Sequence, residues 1–270
     1  MTLASLFRIN PAAPEVIRIA ARQFQVYRVR MLFWLITMMI QLYLLRVVWM
    51  AVYDGRDSVN GVPASTLLIY LTISSLHLFF LPNRIVFEIE DRISTGKVAN
   101  DLIRPLGFMQ QMIAIQIGSI VGSLPLLVVV IPVAAVVGQM HLPSPGSLVL
   151  YLISLFLAFT ISLLLWMVVG MSGFWLLNIG GLRSVISIAG DFLAGALVPL
   201  WFMPDALRVV VQLLPFQAMG FLPASIFAGQ TSGMDTVQPL VVQAIWVVLL
   251  LGIAKLVWKK AQRKLVIQGG

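Results

Sequence analysis

The sequence predicts an all-α integral membrane protein with six transmembrane helices. Of its 270 residues, 60% are hydrophobic and only 10% are charged, whereas a soluble globular chain carries about 25% charged residues. So few charges exclude a soluble enzyme, a nucleic-acid-binding domain and a disordered chain. The chain has no cysteine and two histidines, which excludes disulfides, thiolate metal sites and a His-based metal site.

Six apolar stretches are each long enough to cross about 30 Å of hydrocarbon, which takes roughly 20 helical residues. They cover residues 31–52, 64–81, 109–137, 147–177, 184–203 and 237–258. The third and fourth are longer than needed, so we expect them to tilt, kink or extend beyond the membrane. Pro125 and Pro132 predict a kink in the third. Strands of a membrane barrel would alternate apolar and polar residues, and residues 124–137 do not.

Lys and Arg residues concentrate on one side of these spans. Fifteen of them precede span one, lie at the C-terminal end of the chain from Lys255 on, or lie between spans two and three or four and five. Only Arg56 and Arg208 lie on the other side. The Lys- and Arg-rich side of a membrane protein is cytoplasmic, so both termini are predicted to be cytoplasmic. The net charge of +8 then reflects topology and contact with anionic lipids, not nucleic acid.

We expect a single permease domain over residues 1–270, with a tail and amphipathic helix at 1–30, the bundle at 31–258 and a tail at 259–270. Pro14 suits the first position of that amphipathic helix. Arg18 and Arg22 fall on one face, and Val16 and Ala20 on another. Such a basic helix is expected to lie along the inner membrane surface; the alternative is a charged flank that only fixes topology. No cleavable signal peptide is evident.

Residues 82–111 are the longest and most polar cytoplasmic segment. Gly96 can end a helix in the left-handed conformation, Asn100 or Asp101 can cap the next helix, and Pro105 breaks the chain before span three. These residues predict two short helices that form a compact knob under the membrane. The alternative is a solvated loop, but its interspersed apolar residues, such as Ile89 and Ile103, need a covering surface from this chain or a partner.

Residues 204–229 lie on the outer side and carry only two charges, Asp205 and Arg208. An exposed apolar segment of this length would promote aggregation, so we expect it to dip into the outer leaflet as half-helices broken at Pro215 and Pro223. Non-helical backbone at membrane depth persists only where protein buries it or where it lines a wet cavity. The segment therefore predicts a re-entrant hairpin beside a translocation path.

The sequence supports neither a serine-protease site nor a nucleotide-binding loop. Residues 170–173 read GMSG, as in intramembrane serine proteases resembling rhomboids, but no histidine follows His141 to act as the base. Small residues in a span permit close helix packing instead. No G-x-x-x-x-G-K-[ST] phosphate loop occurs, so ATP and Mg²⁺, if used, would be bound by another chain.

Arg46 and Asp191 are the ionisable residues within the predicted spans, where such residues are functional candidates. Arg46 lies near the outer end of span one, so its side chain can snorkel towards water, with Asp54 or Asp57 as partners. Asp191 either faces a cavity or subunit interface, or makes a buried structural hydrogen bond.

Three stretches resemble one family. Residues 90–96 (EDRISTG) with 102–106 (LIRPL) resemble the G…L-x-R-P-L loop of one bacterial branch of type-2 ATP-binding-cassette (ABC-2) exporter permeases. Residues 191–200 (DFLAGALVPL) resemble the family's span-five motif. LPF at 214–216 and FLP at 221–223 resemble its outer hairpin. Their order along nearly the whole chain makes the resemblance specific.

The resemblance implies a role for each segment. Residues 14–30 would be the elbow helix, and the second-to-third-span loop would be the coupling helix that docks onto a cytoplasmic ABC ATPase dimer. A second permease, the same chain or a paralogue, would complete the channel in the bacterial inner membrane, and this chain would bind no cofactor. The implied docking residues are Glu90, Arg92, Gly96, Lys97, Asp101, Arg104 and Pro105. The implied path or gate residues are Asp191, Gly195, Pro199, Pro215, Phe216 and Pro223.

The function predicted on this basis is export of an apolar or amphipathic substrate, driven by a separate ATPase. The first alternative is a self-contained six-span channel or secondary carrier, and a further one is a membrane scaffold. An importer permease is a weaker match, since Glu90 and Gly96 fit its E-x5-G core but residues 106–109 (LGFM) replace the expected I-x-L-P.

Overall fold

The computed structural model describes residues 11–26, 28–138, 141–176, 178–230 and 233–268. These residues form helices joined by short turns, with one small β-hairpin. The start of the predicted N-terminal tail and the last residue of the predicted fourth span lie outside the described residues.

The first part of the chain contains the predicted amphipathic helix and the first two spans. Helix α1 (Ala13–Val26) carries exposed arginines and a buried Ala20, as its sequence predicts. Helix α2 (Arg28–Tyr53) contains span one, and α3 (Ala64–Phe80) contains span two. Helix α3 lies at the centre of the bundle, since ten of its residues are buried.

A two-stranded hairpin, which the sequence did not predict, connects α2 to α3. Strands β1 (Ser58–Val59) and β2 (Val62–Pro63) pair antiparallel. Asn60 and Gly61, with φ values of 51° and 75°, form the turn between them, as Asn-Gly pairs commonly do in tight hairpins.

Residues 82–107, the inner knob, contain two short helices as predicted. Helix α4 (Ile85–Ser94) ends just before Gly96, whose φ is 71°. Helix α5 (Val98–Leu102) follows. Asp101 lies inside α5 and does not cap it, because the cap position is occupied by Lys97.

The third span is broken where its first proline lies. Helix α6 (Phe108–Ser123) gives way to a 3-10 turn that contains Pro125, and α7 (Leu127–Gly138) then continues. Pro132 lies within α7. The helical hydrogen-bonding pattern therefore changes at Pro125, one of the two prolines at which a kink was predicted, while residues 108–138 remain one candidate span.

Helix α8 (Pro145–Met171) forms the fourth span and packs closely against the inner knob. A Cβ atom at Gly170 would lie 3.0 Å from the Cβ of Ile89. The small residues at 170–173 therefore allow close helix packing, as the sequence indicates.

The predicted fifth span, residues 184–203, is wrong in its second half. Helix α9 (Gly180–Leu193) has only 14 residues, which rise about 21 Å and fall short of about 30 Å of hydrocarbon. The chain then turns at Gly195, whose φ is 78°, a conformation that glycine adopts without strain. A 3-10 turn follows at Leu200–Phe202. Apolar composition extended the prediction across this turn.

Residues 194–230, the outer segment, contain three short helices. They are α10 (Asp205–Gln212), α11 (Phe216–Met219) and α12 (Phe221–Phe227). The axis bends by 74° between α10 and the α11–α12 unit. Helices α11 and α12 are largely buried and pack against α8, and α12 also packs against α3. This chain itself therefore covers α11 and α12, whereas Val209, Val210 and Leu213 in and after α10 are exposed.

Helix α13 (Val237–Gln268) is the last span. Its fully buried Gln243 donates to the carbonyls of Ser154 (3.1 Å) and Ala218 (2.8 Å). One amide thus joins α13, α8 and the outer segment.

Helix α1 packs along α6 and makes its most extensive contacts there. The two helices approach closely because Gly118 has no side chain: a Cβ atom there would overlap the Ile17 carbonyl.

Within the described residues, five helices are long and apolar enough to cross a membrane, and the bent α10–α12 unit raises the number to six. The main core lies between α4, α6, α8 and α13. The fold is therefore a helical, multi-pass membrane protein.

Candidate functional site

A cavity of about 360 Å³ lies between α2, α3, α8, α9 and the start of α11. Four aromatic side chains line it: Trp34, Phe79, Trp166 and Phe216. Polar side chains also reach it, including Gln41, Ser75, Asn83, Ser162 and Ser187. This mixed lining can accommodate an amphipathic molecule.

Asp191 is the one ionisable residue among the described residues that line the cavity. It projects from α9 and takes part in none of the ion pairs within the described part of the chain. Of the two sequence interpretations, the geometry favours the one in which Asp191 faces a cavity.

Two of the six predicted path or gate residues, Asp191 and Phe216, line the cavity. Phe216 packs on Gly190 of α9, where a Cβ atom would come within 3.0 Å of its ring. The other four shape the outer segment instead: Gly195, Pro199, Pro215 and Pro223 are buried there and do not line the cavity.

Gly195 illustrates this structural role. Its carbonyl accepts a hydrogen bond of 2.7 Å from the buried Tyr70 hydroxyl. A Cβ atom at this position would lie 2.8 Å from that hydroxyl and 2.9 Å from Leu200 Cδ1. The turn is therefore fitted against α3 with no room for a side chain.

Side chains that donate to backbone carbonyls hold the rest of the outer segment. Arg208 donates to the carbonyls of Leu200 (3.0 Å) and Met203 (2.9 Å). The Trp49 indole of α2 donates to the Leu197 carbonyl at 3.2 Å. The bend after α9 is thus fixed by neighbouring helices.

Arg46 also binds a carbonyl. Its Nη1 donates to the oxygen of Val137 near the end of α7 at 2.9 Å. The predicted carboxylate partners, Asp54 and Asp57, were therefore wrong. A cation is favoured at this position because the C-terminal carbonyls of a helix carry partial negative charge.

Asp101 organises the interior of the inner knob. Its carboxylate, only 1% exposed, accepts from Arg92 at 2.6 Å and Gln111 at 3.2 Å and pairs with Arg104 at 3.3 Å. Arg92 also pairs with Glu88 at 2.9 Å. A guanidinium of α4, one that follows α5 and an amide of α6 thus converge on one buried acid.

Glu90 connects the knob to the next inner connection. Its carboxylate pairs with Arg183 of α9, whose guanidinium lies 4.1 Å from the centre of the Phe87 ring. Sequence reasoning used Arg183 only as a topology charge and missed this contact, since nothing in the local pattern pairs residues so far apart.

The exposed end of the knob is apolar and basic. Ile103 is 84% exposed and Leu102 is 45% exposed. Of the seven predicted docking residues, four are exposed there: Gly96, Lys97, Arg104 and Pro105. Glu90, Arg92 and Asp101 are instead engaged inside or beside the knob. Ile103 was recognised from the sequence as apolar and in need of cover, but was not assigned to docking.

The cavity-lining aromatic residues Trp34 and Trp166 were also missed. An aromatic residue in a span can face lipid, protein or a cavity, and the local sequence is similar in all three cases. The sequence therefore contains no signal that would have identified Trp34 and Trp166. Among the described residues, no group of three His, Asp or Glu side chains could hold a metal ion.

The chain matches the model of a known protein family. A family model described as ABC-2 family transporter protein matches residues 35–269. No curated protein matches the chain. The matched range includes the inner knob, every cavity-lining residue except Trp34, and the whole outer segment.

Proposed function

The chain belongs to the ABC-2 transporter family, and from this membership we propose that it is the transmembrane subunit of an ATP-driven exporter. A separate cytoplasmic ABC ATPase dimer binds ATP and Mg²⁺ and supplies the energy. This chain contributes the passage and is not itself an enzyme.

The observation that carries the proposal is the exposed apolar end of an otherwise well-packed knob. Ile103 is 84% exposed, although the knob behind it is fixed by a buried acid and its cations. A water-facing isoleucine on a rigid support is suited to insert into a groove on a partner. The basic Lys97 and Arg104 beside it would form the polar rim of the interface.

Motion of the knob would pass to the spans through direct packing. Ile89 of α4 lies against Gly170 of α8, and Ile93 lies against Gly173. Helix α8 also carries Ser162 and Trp166 into the cavity. A push on the knob would therefore reach the cavity wall, where an apolar or amphipathic substrate would bind before leaving past the outer segment.

The proposed assembly contains two permeases, the second a copy or a paralogue, in the bacterial inner membrane. Both termini lie in the cytoplasm, which places the knob on the ATPase side. In this arrangement α1 is the elbow helix, α4 and α5 form the coupling element, and the outer segment is re-entrant. Helix α9 then makes the fifth of six crossings together with the turn that follows it, so that both termini stay on the same side.

Replacing Ile103 with serine tests the proposal. Tagged protein is purified from its native membrane, and ATP hydrolysis and the stoichiometry of co-purified ATPase are measured. We expect Ile103→Ser to reduce retained ATPase about tenfold or more, as for a residue central to an interface. Leu142→Ser is the matched control, because Leu142 is 85% exposed but lies on the outer side.

Two outcomes would contradict the proposal. Equal retention of ATPase by wild type and Ile103→Ser would remove the knob from docking. Uphill transport by the purified chain alone in vesicles, without ATPase, would favour the alternative of a secondary carrier.

A further inference from the structure

The outward face of α13 changes from apolar to basic within one turn. Along most of its length this face exposes aliphatic side chains, namely Val237, Val241, Ile245, Val248, Leu249, Ile253 and Leu256. Beyond Leu256 the same face exposes Lys259, Lys260 and Arg263, flanked by partly exposed Lys255 and Lys264.

The length of the aliphatic stripe matches a bilayer. From residue 237 to residue 256 the helix rises about 28 Å, and the hydrocarbon core is about 30 Å thick. The exposed basic residues begin less than one turn further on. They therefore lie at the level of the lipid headgroups.

The rotation of α13 is fixed by its opposite face. Trp258 is 6% exposed and stacks on Phe108, with ring centres 4.7 Å apart and planes 9° apart. Ala254 and Ala261 on the same side are fully buried. The helix therefore cannot turn its basic side chains into the protein.

The structure pairs these basic residues with no carboxylate in the part of the chain that it describes. Among the described residues, none of the five takes part in an ion pair. The nearest acidic side chain in sequence, that of Asp235, precedes the opposite end of the helix.

We propose that Lys259, Lys260 and Arg263 bind the phosphate groups of anionic lipid headgroups. Basic clusters directly beyond a span attract such lipids, and long side chains at a helix end reach the interface readily. Bound lipid fixes the depth of α13 in the bilayer. Through the Trp258–Phe108 stack, it also fixes the start of α6, where the inner knob ends. This inference depends on membrane insertion of α13 and not on export.

The test measures lipid selectivity of the full chain. Purified protein is reconstituted in phosphatidylcholine vesicles, and the association of spin-labelled phosphatidylglycerol is compared with that of spin-labelled phosphatidylcholine. The neutral variant is Lys259→Gln/Lys260→Gln/Arg263→Gln. The matched control, Lys259→Arg/Lys260→Arg/Arg263→Lys, changes the same positions and keeps the charge.

We expect the ratio of phosphatidylglycerol to phosphatidylcholine association to be at least about threefold lower in the neutral variant than in wild type. The charge-conserving control should keep the wild-type ratio. In wild type, 1 M NaCl should weaken the preference through screening. If the neutral variant keeps the full preference for phosphatidylglycerol, the proposal is overturned. This holds even if the variant no longer binds an ATPase. Complete loss of selectivity in wild type on adding millimolar inorganic phosphate identifies free phosphate as the ligand and likewise overturns it.

Discussion

The inner knob and the outer segment both consist of short helices, but different forces hold them in place. In the knob, the guanidinium groups of Arg92 and Arg104 and the amide of Gln111 converge on the buried Asp101. In the outer segment, aromatic rings and backbone carbonyls dominate: Tyr70 donates to Gly195, and Arg208 donates to Leu200 and Met203.

The difference follows from the surroundings. In our proposed topology the knob lies in water, where charged side chains need not be fully desolvated and ion pairs can connect short helices. The outer segment lies among the spans, where water does not satisfy exposed backbone groups. Its carbonyls therefore require donors from neighbouring side chains.

The difference also bears on function. A knob stabilised from inside leaves its end, at Leu102 and Ile103, free to meet a partner. An outer segment held by α2 and α3 responds instead to movements of those helices. The two regions are thus held by different interactions, and single substitutions can separate them.

The largest expected effect is from Asp101→Ala. Removal of the buried acid leaves Arg92, 13% exposed, and Gln111 without their shared partner. Breaking a buried pair costs about 3 kcal/mol, so amide-exchange protection of residues 85–102 should fall about a hundredfold. Protection of the outer segment should not change.

Asp91→Ala is the control for this substitution. Asp91 pairs with Lys97, and both side chains are more than half exposed. Its removal should leave the protection of the knob nearly unchanged. Equal loss of protection in both variants would mean that the buried acid does not organise the knob.

The next largest effect is expected from Gly195→Ala in the outer segment. The added Cβ atom would meet Tyr70 and Leu200 at less than 3.0 Å, at a φ of 78°. Overpacking and strain of this kind cost about 2 kcal/mol. The melting temperature in detergent should fall, while protection of the knob is retained.

Gly252→Ala is the matched control, because a Cβ atom there meets nothing within 4 Å. Alanine is also favoured over glycine within a helix, so the control should be as stable as wild type. If Gly195→Ala is as stable as wild type, the turn can shift to accommodate the added Cβ atom, and its close fit against α3 is not needed for stability.

The sequence predicted the knob well and the outer segment only in part. Gly96 and the polar composition around it are local signals, and α4 ends just before Gly96 as they indicate. Helix α5 was placed too late, because it begins at Val98 and not after Asn100 or Asp101. The predicted fifth span was too long, because Gly195 and Pro199 lie in an apolar stretch. In such a stretch the prediction follows the apolar composition, and one glycine does not indicate a turn strongly enough to end the span. Its end is decided by Tyr70, which is distant in sequence.

The cavity was the least predictable feature. Asp191 stood out as a charge in an apolar segment, and it does line the cavity. Trp34 and Trp166 did not stand out, because aromatic residues are common throughout these spans. Likewise, the sequence singled out Arg92 and Asp101 as docking residues. Their burial, which the sequence does not show, indicates instead that they act inside the knob.

The smallest effect is expected from Lys97→Ala, which separates stability from docking. The Lys97–Asp91 pair is exposed, and such pairs contribute about 0.5 kcal/mol or less. Amide-exchange protection of the knob should therefore change less than about threefold. Because rim charges act mainly on association rates, the rate of ATPase binding should fall a few-fold at low salt and recover its wild-type value at high salt. A loss of protection as large as that of Asp101→Ala would mean that surface charges, and not the buried acid, hold the knob. The difference drawn above between the knob and the outer segment would then be wrong.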